Sequence, residues 1–387
     1  MHTFTRAFGG AIMAASLLAV TACGGGDGGG ADGGETLKIG FMGAITGDAA
    51  AIVDPPHKAA QLAFEEYNKK NPDNKIEMVT YDTQGDPAQG PSQAQKAVQD
   101  GLVGMIGPAF SGESKVVGPI LDEAKIPSVS PSATAVDLAK NNWKFWHRVV
   151  ANDGEQGPAA AAFMVDKIGG KKVFVISDEQ EYSVGLANAV RDTLKDGGTS
   201  VSQDQIKKEG SDYSATVNKV KSANVDAVFY GGYYAEAGRL LKQLRDGGVD
   251  VPFLSGDGSL DNGFIEGAGK GAAESALLVC PCNLGDPEDE AAKTFTENYT
   301  KKYDVEPKIY GSEGYDAATA FIKAVEAGNT TGEEINKFLG TLEFKGVSKN
   351  IKFNTEGELE GGQIFLDRIE NSEIVPKGLA EEAEYTK

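Results

Sequence analysis

The chain has 387 residues, of which 40% are hydrophobic and 24% charged, with a formal net charge of −20 at pH 7. That length is enough for two ordinary domains with substantial cores. So acidic a surface repels phosphate backbones and argues against a nucleic-acid partner.

In chain order, residues 10–20 come first as an apolar run of roughly the 7 to 15 residues found in a signal-peptide core, shorter than the roughly 20 that cross a bilayer. The charged segment before it is thin, holding only Arg6 and the amino terminus. Residues 18–23, ending in Val20-Thr21-Ala22-Cys23, resemble the lipobox of bacterial lipoproteins. This implies that residues 1–22 are a cleaved leader and that Cys23 is lipidated as the mature N-terminus. The other reading is an ordinary cleaved signal with a cysteine at its boundary by chance. Each buried methylene contributes about 0.8 kcal/mol, so two or three acyl chains anchor stably where one does not. Residues 24–34 are glycine with two aspartates and an alanine, a composition that behaves as a flexible coil. Residues 23–35 are therefore expected to be a lipidated tether.

From Thr36 onward short apolar runs alternate with helical patterns. The first series predicts strands over 37–43, 76–81 and 102–106, with helices over 58–69, 92–100 and 115–124. The first helix places Ala59, Leu62, Ala63 and Tyr67 on one face. After a break at 149–157, a second series predicts helices over 159–168, 184–194, 213–222 and 235–245, with strands over 173–177, 201–206, 227–231, 252–255 and 276–280. Such alternation predicts an α/β protein with mainly parallel sheets covered on both faces, and two series suggest two lobes. Before the break, Trp143 and Trp146 are expected in a packed strand, Trp filling the lobe core rather than lining a ligand site.

Three strand-to-helix junctions stand out for their small polar residues: Gly107-Pro108-Ala109-Phe110-Ser111-Gly112, Ser130-Pro131-Ser132-Ala133-Thr134-Ala135 and Ser255-Gly256-Asp257-Gly258. In open parallel sheets ligands bind outside the C-terminal strand ends, where helix N-termini offer free N–H groups. Ser111 and Thr134 suit an anion such as a carboxylate, or are plain helix caps. Asp257 suits a cation, or merely forms the turn between its two glycines.

Cys280-Pro281-Cys282 is expected to end a strand as two small buried residues. A disulfide there closes a very small ring restricted by the proline, and the spacing fits neither a zinc site nor a redox CxxC motif. Once the leader is removed, the histidines are His57 and His147. His57 follows Pro55-Pro56 at a predicted helix start, where an exposed or capping role is expected. No nucleophile with an activating base is evident, so the chain is not expected to be an enzyme. Neither a cofactor nor a metal ion is expected.

Lys38-Ile39-Gly40-Phe41-Met42-Gly43-Ala44-Ile45-Thr46-Gly47, Tyr81-Asp82 with Asp86-Pro87, the stretch from Ile126-Pro127 through Ala133-Thr134-Ala135, Glu181-Tyr182-Ser183-Val184-Gly185 and Tyr230-Gly231-Gly232-Tyr233 occur in order. At these spacings the chain from Thr36 to about Leu366 resembles the leucine/isoleucine/valine-binding proteins, the substrate-binding components of branched-chain amino acid ABC transporters. The resemblance implies a two-lobed type I periplasmic-binding-protein fold with three hinge crossovers. Lobe 1 would comprise 36–153 and 283–361, and lobe 2 154–282 and 362–387. Under it, Ser111 holds a ligand carboxylate, helped by the amide of Thr134. The Thr134 hydroxyl and the Ser132 carbonyl face the ammonium group, with which Asp257 pairs.

Tyr182, Tyr233 and Tyr310 match aromatic positions that close over the ligand, core packing being the other reading for each. Ala109 and Ala133 belong to the same cleft. Ile52 stands where a tyrosine often lines the side-chain pocket, and Phe110 where better-known members carry a cysteine. The cysteine expected near Gly85 is missing, so the family's N-lobe disulfide cannot form. The implied function is capture of a small zwitterionic, aliphatic amino acid by a monomer, anchored outside the cytoplasm by lipid alone, for delivery to an ABC permease. The alternatives are the same fold binding an amide or short organic acid, for transport or sensing, or a surface hydrolase.

Overall fold

The computed structural model describes residues 36–283 and 288–386. The leader, Cys23 and the glycine tract lie outside the described residues. The chain first builds β1 (Leu37–Gly43), α1 (Ala50–Lys70), β2 (Ile76–Asp82), α2 (Gly90–Gln99), β3 (Gly104–Ile106), α3 (Ser111–Glu123), β4 (Ser128–Ser130) and β5 (Trp146–Arg148). These strands form one sheet in the order β2-β1-β3-β4-β5, parallel at every pairing. β1 is apolar and buried along nearly its whole length, as a central strand with helices on both faces must be.

Residues 149–152 carry the chain into a second sheet. There follow α4 (Asp153–Ala162), β6 (Lys172–Ser177), α5 (Glu181–Asp196), β7 (Ser200–Gln205), α6 (Ser214–Ala223), β8 (Ala227–Gly231), α7 (Tyr234–Asp246), β9 (Phe253–Ser255), α8 (Asn262–Ala268), α9 (Lys270–Ala273) and β10 (Leu277–Cys280). The chain then returns to the first half for α10 (Glu290–Tyr303), α11 (Gly311–Glu326), α12 (Gly332–Leu339) and the hairpin of β11 (Glu343–Lys345) and β12 (Asn350–Lys352). Helix α11 packs along α1. A third crossing delivers β13 (Phe365–Glu370) and β14 (Glu373–Leu379), which extend the second sheet with antiparallel pairings. Its order is β14-β13-β10-β9-β8-β6-β7, and the strands from β10 to β7 are parallel.

Several local expectations are corrected. Helix α1 starts eight residues earlier than the periodicity suggested and contains Pro55 and Pro56. Both rings are buried, and Gly314 of α11 approaches Pro56 so closely that a Cβ there would meet its backbone oxygen. This packing offsets the backbone hydrogen bonds that prolines forgo. His57 is consequently neither exposed nor a cap: it is half-buried, its Nε2 lies 3.0 Å from Thr80 Oγ1, and its ring meets Phe41 edge-on at 4.9 Å.

Helices α3 and α4 also begin earlier than expected, because their first turns are rich in glycine and small or polar residues that mask the apolar period. Only a 3₁₀ turn, Val136–Asn141, follows Thr134, so no α-helix begins there. Cys280 and Cys282 are joined in a disulfide where β10 hands the chain back to the first half. Trp146 is buried in β5 and Trp143 half-buried beside it.

Candidate functional site

The C-terminal ends of β3 and β4 face those of β6, β8 and β9, and the intervening loops meet between the two halves. The turn after β3 needs Gly107: its φ is +102°, and a Cβ would lie 2.5 Å from Met42 O. Seryl hydroxyls then sew the β3 and β4 loops together. Ser130 Oγ donates to Pro108 O at 2.7 Å and accepts from Ala133 N at 3.0 Å. Ser132 Oγ donates to Ala109 O at 2.7 Å. Ser111 Oγ accepts from Ala135 N at 3.1 Å, which leaves its own O–H free to donate. Phe110, not Ser111, occupies the N-cap of α3, so Ser111 is the first residue of the helix. The first-turn N–H groups of this 13-residue helix have no intrahelical acceptor and form a site for an anion.

The opposite wall carries a carboxylate. Asp257 follows β9 and is 4% exposed. Its Oδ1 accepts from Gln156 Nε2 at 2.6 Å and from the Tyr182 hydroxyl at 2.7 Å, and its Oδ2 from the Tyr310 hydroxyl at 2.5 Å. Burial pushes its pKa up to about 6, against the opposing effect of the Tyr310 and Tyr182 hydrogen bonds. Burial first, and the Asp257 charge second, raise the three hydroxyls of Tyr182, Tyr233 and Tyr310, which stay neutral donors. Gly258 presses against this cluster: a Cβ would sit 2.8 Å from the Tyr182 ring, and its N–H donates to the Tyr182 hydroxyl at 3.0 Å.

Between these walls lies a small cavity of about 10 Å³, room for roughly one water, so a larger ligand enters only when the two halves part. Of the expected residues, Ile52, Ala109, Phe110, Ser111, Ser132, Tyr182, Tyr233, Asp257 and Tyr310 line it, together with Gly258. Ala133 and Thr134 do not line it; both are fully buried, and Arg148 Nη1 holds the loop by donating to Ala133 O and Ala135 O at 2.9 Å each. The two halves close over the cavity through the Tyr310–Asp257 bond, a T-shaped Phe110–Tyr233 contact at 5.5 Å, a Lys115–Glu181 ion pair at 2.6 Å and a hydrogen bond from the Tyr234 hydroxyl to Asp48 O.

Two residues of this neighbourhood escaped the sequence reading. Gln156 binds Asp257, and Asp153, one turn earlier on the same face of α4, is fully buried. The Asp153 carboxylate has no well-aligned hydrogen bond among the described residues, its one nearby donor being the Thr134 hydroxyl, and Gln156 Oε1 has no partner there. Burial, then the Asp257 charge, raises the Asp153 pKa well above the carboxylate range, while the Thr134 hydroxyl and Arg148 pull the other way. The available signal was an acidic residue opening a helix directly at the inter-lobe crossover. Asn152-Asp153-Gly154 reads equally well as a cap and turn, and Asn152 is indeed the N-cap, accepting from Gly154 N.

Residues 36–366 match the sequence profile of the family described as periplasmic binding protein. The chain is 30% identical over 330 residues to a leucine-, isoleucine-, valine-, threonine- and alanine-binding protein of Pseudomonas aeruginosa, covering 84% of this chain and 88% of that one. A solved leucine binding protein from Thermotoga maritima is similar with a TM-score of 0.83 and 29% identity, over 89% of this chain and 98% of that one. A branched-chain amino acid transporter substrate binding protein from Streptococcus pneumoniae, solved with isoleucine, gives a TM-score of 0.81 and 26% identity, over 91% and 100%. Two α/β halves, three crossings and a profile spanning most of the sequence agree with the resemblance to leucine/isoleucine/valine-binding proteins: the chain belongs to the periplasmic binding protein family.

Proposed function

We propose that this chain captures a small zwitterionic amino acid with an aliphatic side chain and delivers it to an ABC permease. The observation that carries this reading is a cleft between the two halves with a helix N-terminus on one wall and a buried carboxylate on the other. Ser111 and the first turn of α3 receive the ligand carboxylate, with Thr134 assisting. Asp257 receives the ammonium, displacing tyrosyl hydroxyls that now occupy its oxygens. Ile52, Ala109 and Phe110 surround the aliphatic side chain, while Tyr182, Tyr233 and Tyr310 cover the ligand from the facing side. Apolar walls discriminate one methylene by only about 1–3 kcal/mol, so more than one aliphatic amino acid binds. The relatives named above are binding proteins, which supports binding without turnover.

In this reading residues 36–153 with 283–361 and residues 154–282 with 362–387 are the two bodies that close about the hinge. The protein works outside the cytoplasm as a monomer, held by lipid on Cys23 and pivoting on the glycine tract. Among the described residues no helix is long and apolar enough to cross a membrane. The test is a thermal-shift panel of amino acids, amides and short organic acids on ligand-stripped protein. A ligand at 100 times its dissociation constant stabilises by about 2.7 kcal/mol, so an aliphatic amino acid raises the transition by several degrees. A panel in which only amides or organic acids shift the transition contradicts the reading.

A further inference from the structure

Four orphaned oxygens lie where α4 meets the β4 loop: Thr134 Oγ1, Asp153 Oδ1 and Oδ2, and Gln156 Oε1. Thr134 O accepts the N–H of Asp153 at 2.8 Å, and Gln156 stands one helical turn beyond it. Three of the four are pure acceptors unless Asp153 is protonated, and the fourth is a hydroxyl that both donates and accepts. The Thr134 hydroxyl is the one donor in this set, so the set is short of a second. The neighbouring Asp257 is different, since three donors already satisfy its carboxylate.

Two buried carboxylates lie at this end of the cleft, Asp257 in its lining and Asp153 behind it and near enough for their charges to interact, whereas an amino acid brings one ammonium group. If both were ionised in the empty cleft, the like charges would repel in a poorly screened interior. The better-solvated partner keeps its charge and the other keeps a proton. The charged and titratable groups around Asp153 are Asp257 from the turn after β9, Arg148 from β5 and Asp137 from the 3₁₀ turn after β4. Tyr182, Tyr233 and Tyr310 also feel its charge. Arg148 is already committed to Glu358 at 2.7 Å, so it does not supply the missing donor.

We propose that the empty cleft stores one proton on Asp153, and that an arriving ammonium group expels it, so that ligand capture releases one proton. The inference rests on the amino-acid reading above. Protonated Asp153 donates its O–H to Gln156 Oε1 or Thr134 Oγ1. When the ammonium arrives, its N–H groups replace that donor, the carboxylate ionises against the new cation, and the proton passes to solvent. No other bond changes. Because binding and proton loss are linked, affinity rises about tenfold per pH unit wherever the free chain still holds the proton.

The experiment is calorimetry on the ligand-stripped full chain, using whichever of L-leucine, L-isoleucine and L-valine binds most tightly. Titrations in phosphate and in Tris between pH 7 and 8, where both compounds buffer and Asp257, pushed up to about 6, is already largely ionised, read the proton count from the difference in buffer ionisation heat. The expected result is close to one proton released per ligand, with affinity climbing with pH. Asp153→Asn keeps the unfolding midpoint, binds more weakly and releases no proton. Binding without proton release, with affinity flat across the range, overturns this proposal while leaving the amino-acid reading intact. Unchanged release from Asp153→Asn overturns it too, by placing the proton elsewhere. If none of the three amino acids binds, both readings fall.

Discussion

Arg148 and Asp153 flank the same crossover and are equally buried, yet they sit in opposite circumstances. Arg148 is held by the fold, although its Nη2, 2.7 Å from Glu358 Oε1, lacks hydrogen-bond alignment. Its Nε donates to both oxygens of Glu358 at 2.9 and 3.0 Å, its Nη1 to two loop carbonyls, and Asn152 Nδ2 adds a further bond to Glu358 at 2.6 Å. This ion pair ties the first crossover to the third. Asp153 has no well-aligned hydrogen bond to its carboxylate from any described residue, only the nearby Thr134 hydroxyl. Burial alone therefore does not distinguish a structural charge from a functional one. What does is whether the fold has supplied the partner.

The largest effect should fall on the Arg148 side. Glu358→Ala strands a buried guanidinium and is expected to cost about 3–5 kcal/mol in urea unfolding. Asp153→Asn, which replaces a buried acid that holds its proton in the ligand-free chain with a neutral amide of the same shape, should leave that unfolding free energy unchanged or slightly raised. Equal losses from the two substitutions would erase the contrast between the regions. On the open side, Asp257→Ala removes the ammonium partner and orphans three donors. It should weaken amino-acid binding by about 2–5 kcal/mol, read by calorimetry on folded protein. Tyr310→Phe deletes the hydroxyl that reaches Asp257 across the cleft. Hydrogen bonds to charged groups are worth about 1.5–3 kcal/mol, so the ligand-free chain should lose no more than that from its closed form, seen as faster opening by hydrogen exchange.

The gentlest test is pH. Burial pushes Asp257 and Asp316 up to about 6. Between the unfolded carboxylate value and about 6, the folded chain holds protons that the unfolded chain has shed. Their contribution to stability is therefore fully present below the unfolded value and is lost as pH rises through about 6. The urea-unfolding free energy of the ligand-free protein should fall over that window from these groups, by at most about 1.4 kcal/mol per pH unit for each. An unfolding free energy that rises through the window would contradict the assignment.

Much of this was legible in the residues. Alternating apolar runs revealed the two parallel sheets, because buried parallel strands are short and continuously apolar. The junction residues Ser111 and Asp257 stood out because small polar residues at strand ends mark the binding edge of such sheets. Asp153 and Gln156 stayed hidden, since an Asn-Asp-Gly start is what any helix cap looks like and only tertiary contact reveals a missing donor. The prolines at 55 and 56 concealed the start of α1 because their burial against α11 is a long-range fact. Ser111 carried a second duty invisible in sequence, the bond from Ala135 N that joins two loops. The Cys280–Cys282 bridge was likewise open in sequence, where a three-residue ring looked unfavourable.

The most direct measurement compares L-leucine with 4-methylpentanoate, the same carbon skeleton without the ammonium group, by calorimetric titration of ligand-stripped protein. The account predicts that leucine binds with one-to-one stoichiometry and that 4-methylpentanoate binds at least about a hundredfold more weakly, because Asp153 and Asp257 then face no cation. Equal binding of the two, or binding of 4-methylpentanoate alone, would contradict it.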